Sequence, residues 1–336
     1  MRYSVFSALA AVLVWASLSL LALPSEGAAP ASCAEAATET TAETACALPL
    51  PEVPSSYDAA LRLAVQTENG VEVMDLHSYL TGVLLAEMPV SFEEEALKAQ
   101  TVACRTYTLN RCRNPRHETA AVCTDAHCCQ GWKDPSLVAP EDRERAEEAV
   151  RATDGLVLVY QDRLIDATFF SCSGGRTEDA AAVWGGDMPY LKSVESPGEE
   201  GAAHFSDELQ LPLEEFEATL RTLDSEVQFS GAPESWISAV QYTAGGGVAW
   251  IELGGCSFRG TALRKAFGLR STVFELELND GEAVFHTKGN GHRVGMSQYG
   301  ADAMARAGND YETILKWYYQ GVELVHAEQW GFEIAN

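Results

Sequence analysis

From Leu61 the chain alternates apolar and polar side chains ("LRLAVQ"), a period of two that predicts a strand. After Asp75 the period changes. Leu76, Tyr79, Leu80, Val83 and Leu84 share one helical face, with Asp75 placed as the N-cap. Pro89 pushes Met88 out of the helical region and stops that helix. A second helix is expected from Ser91, with Glu94 three residues on as a capping box. Leu97, Thr101, Cys104 and Thr108 form one of its faces. "GLVLVY" and "LIDATFF" predict strands on either side of a turn at Gln161 and Asp162. Hairpins are expected around Gly245–Gly247 and Asn279–Gly281, and a last helix over Tyr311–Tyr319. The stretch 196–240 is acidic and weakly patterned, and reads as a variable excursion with a helix at Leu213–Leu223. No internal repeat is present. The sum is an α+β fold, helices packed with antiparallel hairpins around a substrate groove.

Composition changes the picture at the N-terminus. Residues 5–23 carry no charge and follow Arg2, so 1–31 reads as a signal peptide or membrane anchor, with "APA" at Ala29–Ala31 as a cleavage site. Residues 32–56, rich in Ala, Thr, Glu and Pro, read as a flexible linker, and the folded domain is expected over 57–336. Such a chain is expected outside the cytoplasm, membrane-anchored or secreted. The formal net charge of −26 and a pI near 4.5 argue against nucleic acid and anionic lipid as partners. Nine cysteines is an odd count for an exported chain, so a free thiol or a metal site is expected. Cys104 and Cys112 fall on one helix, roughly 12 Å apart, and cannot pair while it holds.

Candidate chemistry begins at Glu87. A carboxylate in the last turn of a helix faces the negative end of the dipole, which disfavours ionisation and suits a general acid. Spacing alone favours the plainer reading, a solvated helix-end carboxylate. Lys98 and Arg105, seven apart, share a face of the next helix; Gln100 and Tyr107 lie nearby in sequence. His117, Cys123 and Cys129 recur every six residues, a donor set suited to Zn²⁺, with His127 and Cys128 as rival ligands. In "FFSCSGGRTED", Ser171 and Ser173 lack the G-x-S-x-G elbow of a serine nucleophile. A Gly-Gly turn that sets Ser173, Arg176, Thr177 and Glu178 at a cleft rim is the expectation. "GNGHRVGMSQYGADAMA" has GxGxxxG spacing rather than a dinucleotide fingerprint, and is expected to turn His292, Gln298 and Tyr299 toward the cleft.

Together these segments resemble the stage II sporulation protein D family, peptidoglycan lytic transglycosylases related to amidase enhancers. "LLAEMP" and "EALKAQTVACRTYTL" look like the family's AEMP and KAQAVAARTY segments; "SCSGGRTE…W…PYL" and "GNGHRVGMSQYGA" look like two further motifs, in family order across roughly 60–325. The departures are Cys104 for a usual Ala and Arg293 for a usual Gly. The resemblance implies that Glu87 is the catalytic acid/base and that His117, Cys123 and Cys129 bind zinc. It implies cleavage between N-acetylmuramic acid and N-acetylglucosamine in peptide-stripped strands during sporulation (engulfment), leaving 1,6-anhydro ends. A peptidoglycan amidase acting upstream is the implied partner. The lactyl carboxylate of such strands calls for a cationic seat, with Lys98, Arg105, Arg176 and Arg293 as candidates. The alternative is a non-catalytic glycan-binding enhancer of an amidase. A zinc hydrolase ranks last, because no H-E-x-x-H helix is present.

Overall fold

The computed structural model describes residues 56–330. The expected leader and all but the last residue of the linker lie outside the described residues. After a short helix α1 (Tyr57–Ala60), strand β1 (Arg62–Thr67) pairs antiparallel with β2 (Gly70–Asp75), and β3 (Val122–Cys123) adds parallel to β1. Helix α2 (Leu76–Glu87) is capped as expected: the Asp75 carboxylate accepts from Ser78 N–H at 2.8 Å. It stops at Met88, which is extended ahead of Pro89.

Helix α3 (Glu94–Arg113) departs from expectation at its start. Neither Ser91 nor Glu94 closes a capping box. The cap position is Glu93, with no side-chain cap bond, and its N–H is taken by Asp302 Oδ1 at 2.8 Å. A partner 209 residues away replaces the local cap. The helix is also not one-sided: every residue from Ala99 to Leu109 is buried. It is the central rod, with α2, α4 (Pro140–Ala152), β4 (Leu156–Tyr160), α8 (Gln298–Arg306) and α9 (Tyr311–Tyr318) packed around it. A helix enclosed on all sides has no solvent face for a polar stripe to mark.

"LIDATFF" is not one strand. β5 (Arg163–Leu164) closes a hairpin with β4 through Gln161 and Asp162, both at positive φ, and β6 (Phe169–Phe170) leaves to pair parallel with β13 (Met296–Ser297). That pairing, with the Cys172–Asn290 bridge, draws the Ser-Gly-Gly segment and the Gly289–Ala305 segment together. α5 (Ala180–Trp184) follows between them in sequence.

A second apolar core lies in 206–288. β7 (Ser206–Pro212) pairs with β12 (Glu282–Lys288), which pairs with β11 (Val273–Leu278). β8 (Ile237–Tyr242), β9 (Val248–Leu253) and β10 (Cys256–Arg259) form another sheet, and α6 (Leu213–Leu223) and α7 (Gly260–Phe267) complete the lobe. Both hairpins and α6 form where the sequence places them. The acidic stretch is not an excursion, however: its Leu211, Phe216, Leu220, Val227 and Trp236 are buried with Phe274 and Phe285. β14 (Glu323–His326) pairs back onto β4. Among the described residues no helix is long and apolar enough to cross a membrane.

Candidate active site

Glu87 is the last residue of α2, and its side chain lines a pocket of about 320 Å³ together with Tyr107, Gln130, Phe170, Ser171 and His292. Its Oε1 accepts the N–H of Gly131 at 2.5 Å. Burial pushes the carboxyl above the usual glutamate range, and the Gly131 N–H opposes that shift. The Glu87 carbonyl, left without an intrahelical partner at the helix end, accepts from Gln298 Nε2 at 2.9 Å. Gln298 opens α8, whose N-cap Ser297 accepts from Gly300 N–H.

His292 stands across the pocket. Its Nδ1 accepts from Val294 N–H at 3.2 Å, so a neutral ring carries its proton on Nε2. Phe170 and Trp184 flank the ring, at centroid distances of 5.7 and 5.3 Å. Burial, helped by the charge of Arg264, lowers its pKa to about 4, so the ring is neutral at physiological pH. Tyr107 lies under the Arg111 guanidinium, 4.9 Å from the ring centroid.

Glu87, Tyr107, Ser171 and His292 thus share one pocket, and Gln298 holds its backbone. The other expected residues are placed elsewhere. Lys98 pairs with Glu94 and Glu95 on its own helix, at 2.5 and 2.9 Å. Gln100 is buried and donates to Cys104 Sγ at 3.2 Å. Arg105 is fully buried in a bidentate pair with Asp58 (Nη2 to Oδ2, 2.6 Å), with Thr153 Oγ1 and the carbonyls of Val150 and Leu156 as further acceptors. The expectation that Lys98 and Arg105 present charge to a ligand is therefore corrected: both cations are spent on internal carboxylates. Arg176 is half-buried and paired with Glu195 at 2.9 Å. Thr177 is buried, its Oγ1 accepting the Val194 N–H at 2.8 Å. Tyr299 packs its ring edge on Phe92.

Arg293 takes φ +66°, a left-handed backbone that glycine adopts most easily. Its guanidinium turns inward, donating to the carbonyls of Ser173 (2.8 Å), Arg176 (2.6 Å) and Gly245 (2.6 Å), 3.8 Å from the buried Glu178 carboxylate. It pins the Gly-Gly turn rather than facing solvent. Ser173 likewise belongs to the scaffold. Its N–H and Oγ both donate to Glu199 Oε2, while Ser196 and Ser297 donate to Oε1.

Gly131, Gln130 and Glu199 were not among the residues the sequence singled out. Gly131 has no chemistry of its own to advertise, and Glu199 sits in an acidic run where one carboxylate looks like another.

Beside the pocket, one ligand atom each from His117, Cys123, Cys128 and Cys129 lies within 4.8 Å of all the others. His117 Nε2 is 3.4 Å from Cys129 Sγ and 3.6 Å from Cys128 Sγ. Of the two rival ligands, Cys128 joins the cluster. His127 is exposed and turned to Asp125.

The α+β scaffold thus carries a recessed helix-end carboxyl beside a cysteine–histidine cluster. Residues 65–160 match the family described as Stage II sporulation protein. The chain is 36% identical to Stage II sporulation protein D of Bacillus amyloliquefaciens over 274 residues, 78% of this chain and 77% of that protein. It is 34% identical to Stage II sporulation protein D of Bacillus subtilis over 269 residues, 77% of this chain and 76% of that protein. The Amidase enhancer of Bacillus subtilis is 30% identical over 295 residues, 73% of this chain and 40% of that protein. The chain belongs to the stage II sporulation protein D family.

Proposed function

We propose that the protein is a lytic transglycosylase that cleaves the N-acetylmuramic acid to N-acetylglucosamine bond of peptide-stripped peptidoglycan during sporulation. The observation that carries this reading is the state of Glu87. Its carboxyl is recessed in a pocket, raised in pKa by burial and fixed by a backbone donor. A carboxyl of that kind holds its proton until a leaving group needs it.

In the reaction Glu87 gives that proton to the glycosidic oxygen as the bond from muramic C1 breaks. The resulting carboxylate takes the proton of the muramic C6 hydroxyl, whose oxygen closes on C1. The products are a 1,6-anhydro end and a free hydroxyl, and Glu87 is again protonated. The nucleophile belongs to the substrate, so the second carboxylate of most glycosidases is not required. Among the described residues lining the pocket, Glu87 is the one carboxylate.

A zinc ion is part of the proposal. Three thiols and one imidazole nitrogen within 4.8 Å of one another are the donor set that structural zinc takes, and His117, Cys123, Cys128 and Cys129 would hold it. Bound there, zinc would tie His117 to Cys128 and Cys129 and so fix the loop that leads through Gln130 to Gly131. Four protein ligands would leave no open position for catalysis, which counts against a zinc hydrolase. The site of action we propose is extracytoplasmic, membrane-anchored or in the cell wall, following an amidase that strips the stem peptides.

Purified protein incubated with denuded strands should release anhydro ends detectable by mass spectrometry, and Glu87→Gln should not. The likeness to an amidase enhancer favours a second reading, a glycan-binding activator of an amidase. If the wild type yields no anhydro ends but stimulates an amidase, that reading replaces the first.

A further inference from the structure

A second cavity lies in the 206–288 lobe, where the turn of the β8–β9 hairpin faces the β7–β12–β11 sheet. It measures about 590 Å³, against about 320 Å³ at Glu87, and its lining includes Tyr242, Glu208, Glu275, His286 and Lys288. Tyr242 leaves 60% of its surface in water at the cavity's edge, an exposed aromatic face without a packing role. Such a ring covers the C–H face of a sugar while its hydroxyl stays wet. Glu208, held by His286 Nδ1 at 3.3 Å, and Glu275 are acceptors for hydroxyl hydrogens.

Lys288 adds an exposed cation to this cavity. The cations near the motifs are engaged: Lys98 with Glu94 and Glu95, Arg105 with Asp58, Arg176 with Glu195, Arg293 with backbone carbonyls. The Lys288 ammonium has no ion pair or hydrogen bond among the described residues. It closes β12, and the chain passes from it through Gly289 directly into Asn290, Gly291 and His292, which line the Glu87 pocket. One backbone segment therefore borders both cavities.

We infer that this cavity is a second saccharide-binding site holding a more distant part of the same glycan strand, with Tyr242 stacked on a sugar ring and Lys288 paired with a lactyl carboxylate. The inference takes its ligand class from the Glu87 reading. It assigns the carboxylate seat to Lys288, where the sequence offered Lys98, Arg105, Arg176 and Arg293.

The test uses the full-length Glu87→Gln chain and denuded strands of increasing length, with binding followed by calorimetry. Tyr242→Ala should weaken binding of long strands by about fivefold, leave the shortest strands unchanged, and be rescued by Tyr242→Phe. Lys288→Ala should weaken carboxylate strands and spare strands whose carboxylates are amidated. Both side chains are exposed, so neither change threatens the fold. Unchanged binding of long strands, or an equal loss at every length, overturns the inference. If wild type releases anhydro ends while Tyr242→Ala binds normally, the second site fails and the Glu87 reading stands. Tyr242-dependent binding without anhydro products removes the reaction and keeps the site. Loss of amidase binding in Tyr242→Ala with glycan binding intact makes the surface a protein interface and overturns the inference.

Discussion

The backbone N–H of Gly131 donates to Oε1 of Glu87 across 44 residues of sequence. This one bond couples the proposed acid to the cysteine–histidine loop, because Gly131 follows Cys128, Cys129 and Gln130. A Cβ at Gly131 would lie 3.1 Å from Oε1 and 3.4 Å from the Ala86 Cβ, so the position is closed to larger residues without a shift of the acid.

The first prediction concerns stability and pH. Burial raises the Glu87 pKa in the folded state above its unfolded value. The folded protein therefore holds the proton more tightly, and this stability is present below the unfolded pKa and lost as pH rises through the folded one. Glu87→Gln, which cannot ionise, should melt at a higher temperature than wild type at neutral pH, and the difference should close as pH falls below about 4, the range of an unperturbed glutamate. Thermal melts across pH check this. An unchanged difference at low pH would show that the gain has another origin.

Activity should follow the same group. The protonated form is the competent acid, so kcat/KM should fall on the alkaline side at a pH above that of an ordinary glutamate. His292, lowered to about 4, should add no inflection between pH 6 and 8. A pH–rate profile with a step near 6.5 that vanishes in His292→Gln would assign that step to the histidine instead.

Arg105→Ala should act on folding. Arg105 and Asp58 are both fully buried and paired at 2.6 Å, and removing one partner strands the other charge. A loss of about 3–5 kcal/mol is expected. Asp58→Asn should cost a comparable amount, and the double variant less than the sum of the two. Chemical denaturation of the three variants gives the coupling. Additive losses would separate the two residues.

Arg293→Gly restores the residue its backbone angle suits and should still destabilise. Relief of the left-handed strain is worth about 1–2 kcal/mol. The loss includes three charge-assisted bonds, each worth about 1.5–3 kcal/mol, and the neighbour of buried Glu178. A stabilised variant would mean that the carbonyls find other donors.

For the metal, purified protein should carry about one zinc per chain. Cys128→Ser should lose it and melt at a lower temperature, whereas His127→Ala should keep both metal and stability. Metal analysis alongside thermal melts separates the two, and retention of zinc in Cys128→Ser would return the fourth position to another ligand.

Much of the fold was legible because it is local. The cap at Asp75, the stop at Pro89, the turn glycines of two hairpins and the apolar spacing of α6 and α9 act over a few residues, and each element forms at its place. Glu87 as the proposed acid, and His117, Cys123 and Cys129 as three of the four residues that cluster, were named from motif position. The features that failed were set by distant partners. α3 is capped by Asp302 rather than by Ser91, because a carboxylate from α8 reaches its first turn. The acidic stretch is a structural strand and helix, because its few apolar residues meet Phe274 and Phe285.

The sequence by itself determined which chemical groups this protein carries and the order in which its elements occur. Only the tertiary structure decided which charges remain free to act. Lys98 and Arg105 share a helix face in any reading of the spacing, but a cation's availability depends on whether a carboxylate lies within about 4 Å of it, and that carboxylate can come from anywhere in the chain. Asp58 precedes Arg105 by 47 residues and claims it. Lys288 meets no such partner among the described residues. Helical periodicity reports which side chains share a surface; whether that surface is wet, buried or already neutralised is settled by packing.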